Sequence, residues 1–249
     1  MRYFIRLAYN GAPFHGWQVQ PHDNSVQEAL EKALSTLLKK PTPVTGAGRT
    51  DTGVNAAMMI AHFDTDGPIG HIPSLLRSLN GIVGQFIAVY RIFPVAEDAH
   101  ARFDATSRTY KYFVHTTKSP FLNAFSWQCR PSLDFTMMNE AASHLTRYAD
   151  FTSFSKLHTD VKTNNCKVTH AKWVPMEEDG RWVFTVTANR FLRNMVRAIV
   201  GTLVDVGTHK ITVEQFCDII ERKDRCLAGQ SMPANALFLW NITYPYPIE

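Results

Sequence analysis

Two similar series of strand and helix patterns follow each other along the chain, and they limit the folds that it can adopt. In the first series, residues 3–9 alternate and are rich in aromatic and branched side chains, which predicts a strand. Residues 25–28 form a capping box, and apolar positions at helical spacing predict a helix that closes at residues 39–41. The remaining predictions for this half are strands over 59–63 and 86–93 and a helix over 73–79.

The second series has the same order. We predict strands over 110–116, 169–176, 182–188 and 237–244, and helices over 135–148, 192–206 and 213–222. Each half therefore follows the strand–helix–strand–helix–strand order of a split βαβ, ferredoxin-like unit. The predicted fold class is α+β, with two ferredoxin-like or RRM-like halves, residues 1–104 and 105–249, antiparallel sheets, and a ligand-binding cleft between the halves.

Composition and the order of residues at the N-terminus exclude several classes of protein. With 45% hydrophobic and 12% aromatic residues among 249, the chain has enough apolar side chains for a sizeable core. Arg6 interrupts any signal-peptide core near the N-terminus, and no stretch approaches the roughly 18 apolar residues of a membrane helix. We therefore expect a soluble, cytoplasmic protein without a membrane partner.

The cysteines and histidines give no metal-binding pattern. Cys129, Cys166, Cys217 and Cys226 are widely spaced, form no C-x-x-C pair and have no histidine at zinc-finger spacing. The ten histidines include no H-E-x-x-H motif. We expect reduced thiols and no metal site.

Positive charge is concentrated in two segments, although the formal net charge is only +4. Residues 180–204 contain four arginines and no carboxylate. Around residue 104, Arg102, Arg108, Lys111 and Lys118 accompany the single acid Asp104. This clustering favours a polyanionic partner.

Residues 47–56 contain the strongest candidate for a catalytic group. Asp51 lies between Gly48 and Gly53, and Arg49 precedes it by two positions. Glycines permit turns and close approach of a large partner, and a nearby guanidinium favours the charged form of a carboxylate. From spacing alone, two interpretations stay open: a cofactor-independent nucleophile or base, and an Asx turn.

A set of motifs in order along the chain resembles the TruA family of tRNA pseudouridine synthases. These motifs are residues 14–18 (FHGWQ), 48–54 (GRTDTGV), 101–112 (ARFDATSRTYKY), 150–154 (DFTSF), 191–197 (FLRNMVR) and a looser match over 229–239. The resemblance implies an isomerase that converts uridine to pseudouridine in the tRNA anticodon stem-loop, at tRNA positions 38 to 40, without a cofactor. It also implies a homodimer.

The resemblance assigns roles to three residues, and Arg49 is a second candidate for the cation beside Asp51. It implies that the Asp51 carboxylate acts at the sugar, by attack on C1′ or by removal of a C2′ proton. Tyr110 matches the family's tyrosine against the target base, and Arg197 matches the arginine that contacts the catalytic acid. Arg49 either fixes the loop or contacts a phosphate.

Further residues are candidates for RNA contacts. His100, Arg102 and Phe103 match the family's RNA-contacting segment, and Lys162 and Asn164 lie in a polar stretch without periodicity. Arg190 and Arg193 share one predicted face with Arg197 on the helix over 192–206. A solvated loop and a solvated basic stripe are the structural alternatives.

Three positions depart from the family pattern. Asn55 stands where the family has a histidine, residues 58–59 are both methionine, and residues 235–236 replace a usual glycine. The departures leave Asp51, Tyr110 and Arg197 intact.

A non-catalytic RNA-binding module is the alternative function, since residues 111–114 faintly resemble an RRM stacking strand. A P-loop NTPase is excluded, because residues 46–53 lack the Gly-Lys-Ser/Thr ending.

Overall fold

The computed structural model describes residues 1–129, 132–156, 163–177 and 180–248. The chain divides into an N-terminal unit, Met1–Thr106 together with the chain from Leu239 onward, and a C-terminal unit, Ser107–Phe238. The boundary predicted after residue 104 lies two residues away. The assignment of all residues from 105 onward to the second half differs from the structure, because the last strand returns to the first unit.

The elements follow one another in the predicted order. They are β1 (Arg2–Tyr9), α1 (Val26–Leu38), β2 (Thr45–Gly46), β3 (Asn55–Asp64), α2 (Ile72–Ile82), β4 (Ile87–Val95), β5 (Ser107–His115), β6 (Trp127–Gln128), α3 (Phe135–His144), β7 (Val168–Pro175), β8 (Arg181–Ala188), α4 (Met195–Gly207), α5 (Val213–Arg222) and β9 (Leu237–Thr243). The mixed helix and strand content and the mostly antiparallel sheet confirm the predicted fold class.

The N-terminal unit contains a split βαβ arrangement. Strands β3 and β4 flank β1, which is antiparallel to both, so that Ile5 pairs with Ala61 on one side and with Ile92 on the other. The part of β9 in this unit continues the sheet beside β3. Within this unit the strand order β4-β1-β3-β9 is that of a ferredoxin-like unit.

The C-terminal unit repeats the arrangement. Strand β8 lies between β5 and β7 and is antiparallel to both, so that Phe184 pairs with Tyr112 and with Trp173. All three side chains are buried. Strand β6 adds a short parallel pairing to β5.

Local signals explain where two helices begin. The Ser25 side chain accepts a hydrogen bond from the Glu28 N–H at 3.2 Å, which supplies a partner at the start of α1. Thr212 and Gln215 form a complete capping box at the start of α5. The first helix ends at Lys39, whose backbone is left-handed. The predicted start and end of the first helix are confirmed.

Helix α4 begins three residues later than predicted, and this corrects the predicted arginine stripe. Asn194 caps the helix with a left-handed φ of 67° and donates from Nδ2 to Ser231 Oγ at 2.6 Å. Arg190 and Arg193 therefore precede the helix, and only Arg197 lies on it. The prediction that all three share a helical face is wrong.

The predicted helix over 135–148 is also shorter in the structure. Helix α3 ends at His144 and continues as a single 3-10 turn over Leu145–Arg147. Among the described residues, no helix combines the length and the apolar character that a membrane crossing needs.

Candidate active site

Asp51 lies in the loop that joins β2 to β3 in the N-terminal unit. Its side chain is half-buried, whereas that of Arg49 is exposed and that of Thr50 is buried. At the start of the loop, the Ala47 N–H donates to the Ile60 carbonyl at 2.8 Å. Beyond Asp51, the Val54 N–H donates to the Asp51 carbonyl at 3.1 Å, which closes a turn.

The segment of residues 14–17 holds the backbone on both sides of Asp51. The Trp17 N–H donates to the Thr50 carbonyl at 3.2 Å, and the Gly53 N–H donates to the Phe14 carbonyl at 3.3 Å. The segment is itself fixed to α1, because the Gln27 N–H donates to the Trp17 carbonyl at 2.9 Å. Two motifs that are far apart in the sequence thus form one structure around the candidate carboxylate.

Close backbone contacts explain two glycines of this region. Gly16 has a φ of +93°, and a Cβ atom there would lie 2.4 Å from the Thr50 carbonyl oxygen. A Cβ atom on Gly11 would lie 2.1 Å from the Val54 carbonyl oxygen. Only glycine leaves room for these approaches.

Two side-chain hydrogen bonds add support that the sequence did not indicate. The Tyr9 hydroxyl, at the end of β1, and Thr50 Oγ1 are 2.8 Å apart in a buried position. Asn55 Oδ1 accepts from the Gly11 N–H at 2.8 Å. The residue that departs from the family's histidine therefore stabilises the same loop.

A depression of about 180 Å³ opens beside this loop within the N-terminal unit. It is lined by Trp17, Gln18, Gln27, Val44, Thr45, Gly46, Gly48, Arg49 and Arg102. The Trp17 ring lies against Gly46, where a Cβ atom would come within 2.4 Å of it. Two guanidinium groups and the open backbone at Gly48, where nothing lies within 4 Å of a Cβ position, suit an anionic ligand such as a phosphate.

The turn over residues 100–104 presents Phe103 and Arg102 to solvent. Phe103 is 74% exposed, and the Arg102 guanidinium lies 5.8 Å from the centre of its ring. His100 Nδ1 accepts from the N–H groups of Arg102 and Phe103 at 3.1 and 3.2 Å. The structure thus brings together the three residues predicted to contact RNA in this segment.

Asp104 and Tyr246 fix the same turn. Asp104 Oδ2 accepts from the His100 N–H and from the Tyr246 hydroxyl, each at 2.7 Å. The hydrogen bond from the His100 backbone, followed by that from Tyr246, lowers the pKa of Asp104. The sequence did not indicate this role of Tyr246, which lies beyond the last strand.

His62 lies beneath the turn and remains neutral in the folded protein. Its ring is 6% exposed and 4.7 Å from that of His100, and its Nδ1 accepts from the Ala101 N–H at 3.2 Å. Burial, followed by the charge of Arg2, lowers the pKa of His62 to about 4.

We expect the free energy of unfolding to fall at mildly acidic pH because of His62. Below the ordinary pKa of 6.5 the unfolded chain binds a proton there and the folded chain does not, so stability is lost as pH falls towards 4. The expected loss is about 1.5 kcal/mol between pH 6.5 and 5. Urea unfolding of native protein and His62→Asn at both pH values measures it. His62→Asn should lose less unfolding free energy between the two pH values than native protein does. The control His170→Gln, at an exposed histidine, should lose as much as native protein. An equal loss in all three proteins would contradict the assignment of the pH dependence to His62.

Tyr110 and Tyr112 have different environments in the C-terminal unit. Tyr110 is half-buried, and the Phe191 ring meets its ring edge-on with centroids 5.0 Å apart. Tyr112 is fully buried, and its hydroxyl donates to the Pro233 carbonyl at 3.1 Å. Burial raises the pKa of Tyr112. Tyr112 is thus a core residue, whereas Tyr110 keeps part of its surface accessible.

The candidate arginines of this unit occupy separate positions. Arg197 Nε donates to the Met232 carbonyl at 2.6 Å, which fixes the side chain on α4. Arg190 Nη1 donates to the Thr163 carbonyl at 3.3 Å, and Arg193 is exposed. Asn164 Nδ2 donates to Thr152 Oγ1 at 2.9 Å. Lys162, also predicted to contact RNA, lies outside the described residues.

Comparison with known proteins identifies the family. A family model described as tRNA pseudouridine synthase matches residues 141–245. A tRNA pseudouridine synthase A from Parabacteroides distasonis is 56% identical over 251 residues, which cover 100% of this chain and 99% of that protein. The chain belongs to the tRNA pseudouridine synthase A family.

Other members of the family match over nearly the same length. The synthase of Bacteroides thetaiotaomicron is 58% identical, covering 99% of this chain and 92% of that protein, and that of Bacillus subtilis is 39% identical, covering 98% and 99%. A chain of a solved Cbf5-Nop10-Gar1 complex overlaps with a TM-score of 0.34 at 10% identity, covering 81% of this chain and 54% of that chain. That likeness is too weak to support any argument.

Membership of the tRNA pseudouridine synthase A family confirms the resemblance drawn from the motifs. The chain is an enzyme, an isomerase that acts on tRNA, which removes the non-catalytic binding module as an alternative. Within the described ranges, no three or more histidine, cysteine, aspartate or glutamate side chains group in a way that suits a metal ion.

A stability difference should separate the two strand tyrosines of this pseudouridine synthase. Tyr112→Phe removes the hydroxyl of a buried side chain that donates to the Pro233 carbonyl, and we expect it to lower the free energy of unfolding by about 1 kcal/mol. Tyr110→Phe should cost less, because that side chain is only half-buried. Urea unfolding at neutral pH measures both. Equal losses would contradict the assignment of Tyr112 alone to the core.

Proposed function

We propose that this synthase isomerises uridines of the tRNA anticodon stem-loop with Asp51 as its catalytic carboxylate. The observation that carries the proposal is the support around Asp51: hydrogen bonds from residues 14–17 fix the backbone on both sides, and the side chain stays half-buried rather than sealed in the core. Catalytic groups need such fixed positions, because small displacements cost large factors in rate.

The reaction rearranges bonds within one nucleotide. The N1–C1′ bond breaks, the detached uracil turns, and a C5–C1′ bond forms; the C5 proton leaves to solvent and N1 regains a proton. Asp51 assists at the sugar, either by attack on C1′ or by removal of the C2′ proton. Atoms and charge balance without a redox partner, so the chain's own carboxylate is sufficient.

The target base must leave its stack before Asp51 can reach the sugar. Base flipping costs a few kcal/mol, and stacking on an aromatic side chain recovers part of it. We assign that contact to Tyr110, whose half-buried ring is held by Phe191. In the C-terminal unit we assign the cationic contact with the substrate to Arg197, whose side chain is fixed by its hydrogen bond to the Met232 carbonyl.

Contacts to the RNA outside the target base fall to exposed basic and aromatic residues. We assign phosphate contacts to Arg49 and Arg102, which line the depression beside the Asp51 loop. Phe103 is 74% exposed on a turn fixed by His100, and it is suited to stack on a loop base. Arg190, Arg193 and Asn164 are secondary candidates on the C-terminal unit.

A homodimer is part of the proposal. The C-terminal unit exposes aromatic side chains, with Phe121 at 87% and Phe125 at 43%, the latter ring 6.0 Å from Phe238. Apolar surface of this kind marks interaction sites, and a second copy of the chain would cover it. Sedimentation should give twice the chain mass, and Phe121→Ser should shift the equilibrium towards monomer.

Because the substrate is tRNA, the proposed location is the cytoplasm.

Mapping of modified positions tests the proposed substrate site. Unmodified tRNA transcripts that carry uridines in the anticodon stem-loop and elsewhere are incubated with the protein, and pseudouridine is located by chemical derivatisation and primer extension. We expect modification in the anticodon stem-loop only. Modification confined to other stems, with none in the anticodon arm, would overturn the proposed site and leave the family assignment intact.

A further inference from the structure

Two arginines lie opposite each other on adjacent strands of the N-terminal unit, and neither lines the depression beside Arg49. Arg6 of β1 pairs directly with Arg91 of β4. Like charges in directly opposed positions on a sheet repel each other. Within the described ranges, neither guanidinium has a carboxylate at salt-bridge distance. The arrangement therefore carries a repulsion that the described side chains do not neutralise.

Arg6 also has a buried hydrogen-bond donor that is unsatisfied among the described residues. Its Nε is buried, and no acceptor lies within hydrogen-bond distance of it among the residues that the structure describes. Buried donors are almost always paired with protein or with a bound species. On the other side of Arg6, strand β3 contributes Ile60, which has no polar side-chain atom to offer.

Contact with a neighbouring aromatic ring restricts the position of the Arg91 side chain. Its guanidinium lies 5.7 Å from the centre of the Phe93 ring, and Phe93 packs edge-on against the buried Phe4. The register shifts by one residue between Arg91 and Val89, so that Tyr90 forms a bulge and is 56% exposed. Bulges re-aim side chains at sheet edges.

We propose that Arg6 and Arg91 bind a phosphodiester group of the tRNA backbone, at a site separate from the Asp51 loop. An anion between the two guanidiniums neutralises their repulsion and accepts from donors that the chain leaves unused. Exposed Tyr90 adds an aromatic face on which a neighbouring base can stack. The inference rests on the proposed function, because it takes the anion to be part of the tRNA.

Salt dependence of tRNA binding tests this site. Dissociation constants for an unmodified tRNA transcript are measured from about 50 to about 200 mM KCl for native protein, Arg91→Gln and the double variant Arg6→Gln/Arg91→Gln. We expect the slope of log K against log salt to fall by about 1 in the double variant, with tRNA affinity lower by about tenfold. Arg77→Gln, an exposed arginine on α2, is the matched control and should keep the native slope.

Several outcomes would overturn the proposal. An unchanged slope in the double variant, or an equal fall in Arg77→Gln, would exclude a specific phosphate contact. A melting temperature of the RNA-free double variant well below native would show that the arginines stabilise the fold instead. Calorimetric titration of the RNA-free protein with inorganic phosphate completes the test. If phosphate binding requires Arg6 and Arg91 while the salt slope of tRNA binding is unchanged, the site binds free phosphate and not the tRNA backbone.

Failure of the proposed function would be visible in the modification assay and not in the salt dependence of binding. In that case native protein would leave the anticodon stem-loop unmodified, whatever the salt dependence of binding.

Discussion

Asp51→Asn should abolish isomerisation while the variant folds and still binds tRNA. The substitution keeps the volume of the side chain and removes the charge that acts at the sugar. We expect the rate to fall by at least about a thousandfold, as is typical when a nucleophile or base is removed. The measurement uses tRNA labelled with tritium at uridine C5, because each isomerisation releases the label to water.

The binding measurement and a matched control make this result interpretable. The dissociation constant for tRNA should stay within about threefold of native, since one carboxylate contributes little to the contact with a polyanion. Asp66→Asn removes an exposed carboxylate that pairs with Lys40 and should release tritium at the native rate. Substantial release by Asp51→Asn would refute the catalytic assignment.

Gly16→Ala should damage both the stability and the activity of the enzyme, although residue 16 is not expected to touch the reacting atoms. Alanine at a φ of +93° is strained, and its Cβ would lie 2.4 Å from the Thr50 carbonyl. The loop must then move away from residues 14–17. We expect a loss of about 3 kcal/mol in the free energy of unfolding. A fall of about a hundredfold in kcat should follow from displacement of Asp51.

Thermal unfolding and tritium release under the same conditions check the second prediction. Gly70→Ala is the control, because nothing lies within 4 Å of a Cβ atom at that exposed position. It should match native protein in both measurements. If Gly16→Ala kept the native rate, the hydrogen bonds from residues 14–17 would not be what positions Asp51.

The beginnings of helices show how far sequence reasoning reaches. Ser25 and Thr212 mark the starts of α1 and α5, because capping acts between residues two or three positions apart. The structure begins α4 three residues after the predicted start, because the contact that sets this start is not local in the sequence. Asn194 takes a left-handed backbone and bonds to Ser231, which is distant in the sequence.

The candidate site was also only partly predictable from the sequence. The GRTDTGV motif identified Asp51, and membership of the family confirms the reaction that the motif implied. The sequence did not indicate that Tyr9, Asn55 and residues 14–17 would support the loop. The resemblance favoured Tyr110 over Tyr112 for the contact with the base, and the structure adds that Tyr112 is fully buried whereas Tyr110 is half-buried.

The sequence by itself determined the order of elements, the α+β class, the Asp51 motif and the enzyme family, since alternation, capping and motif spacing are relations between near neighbours in the chain. The tertiary structure decided which unit receives the last strand, how the Asp51 loop is supported, and that Arg6 faces Arg91. Those features depend on contacts between segments far apart in sequence, whose geometry is set only when the sheets and helices pack.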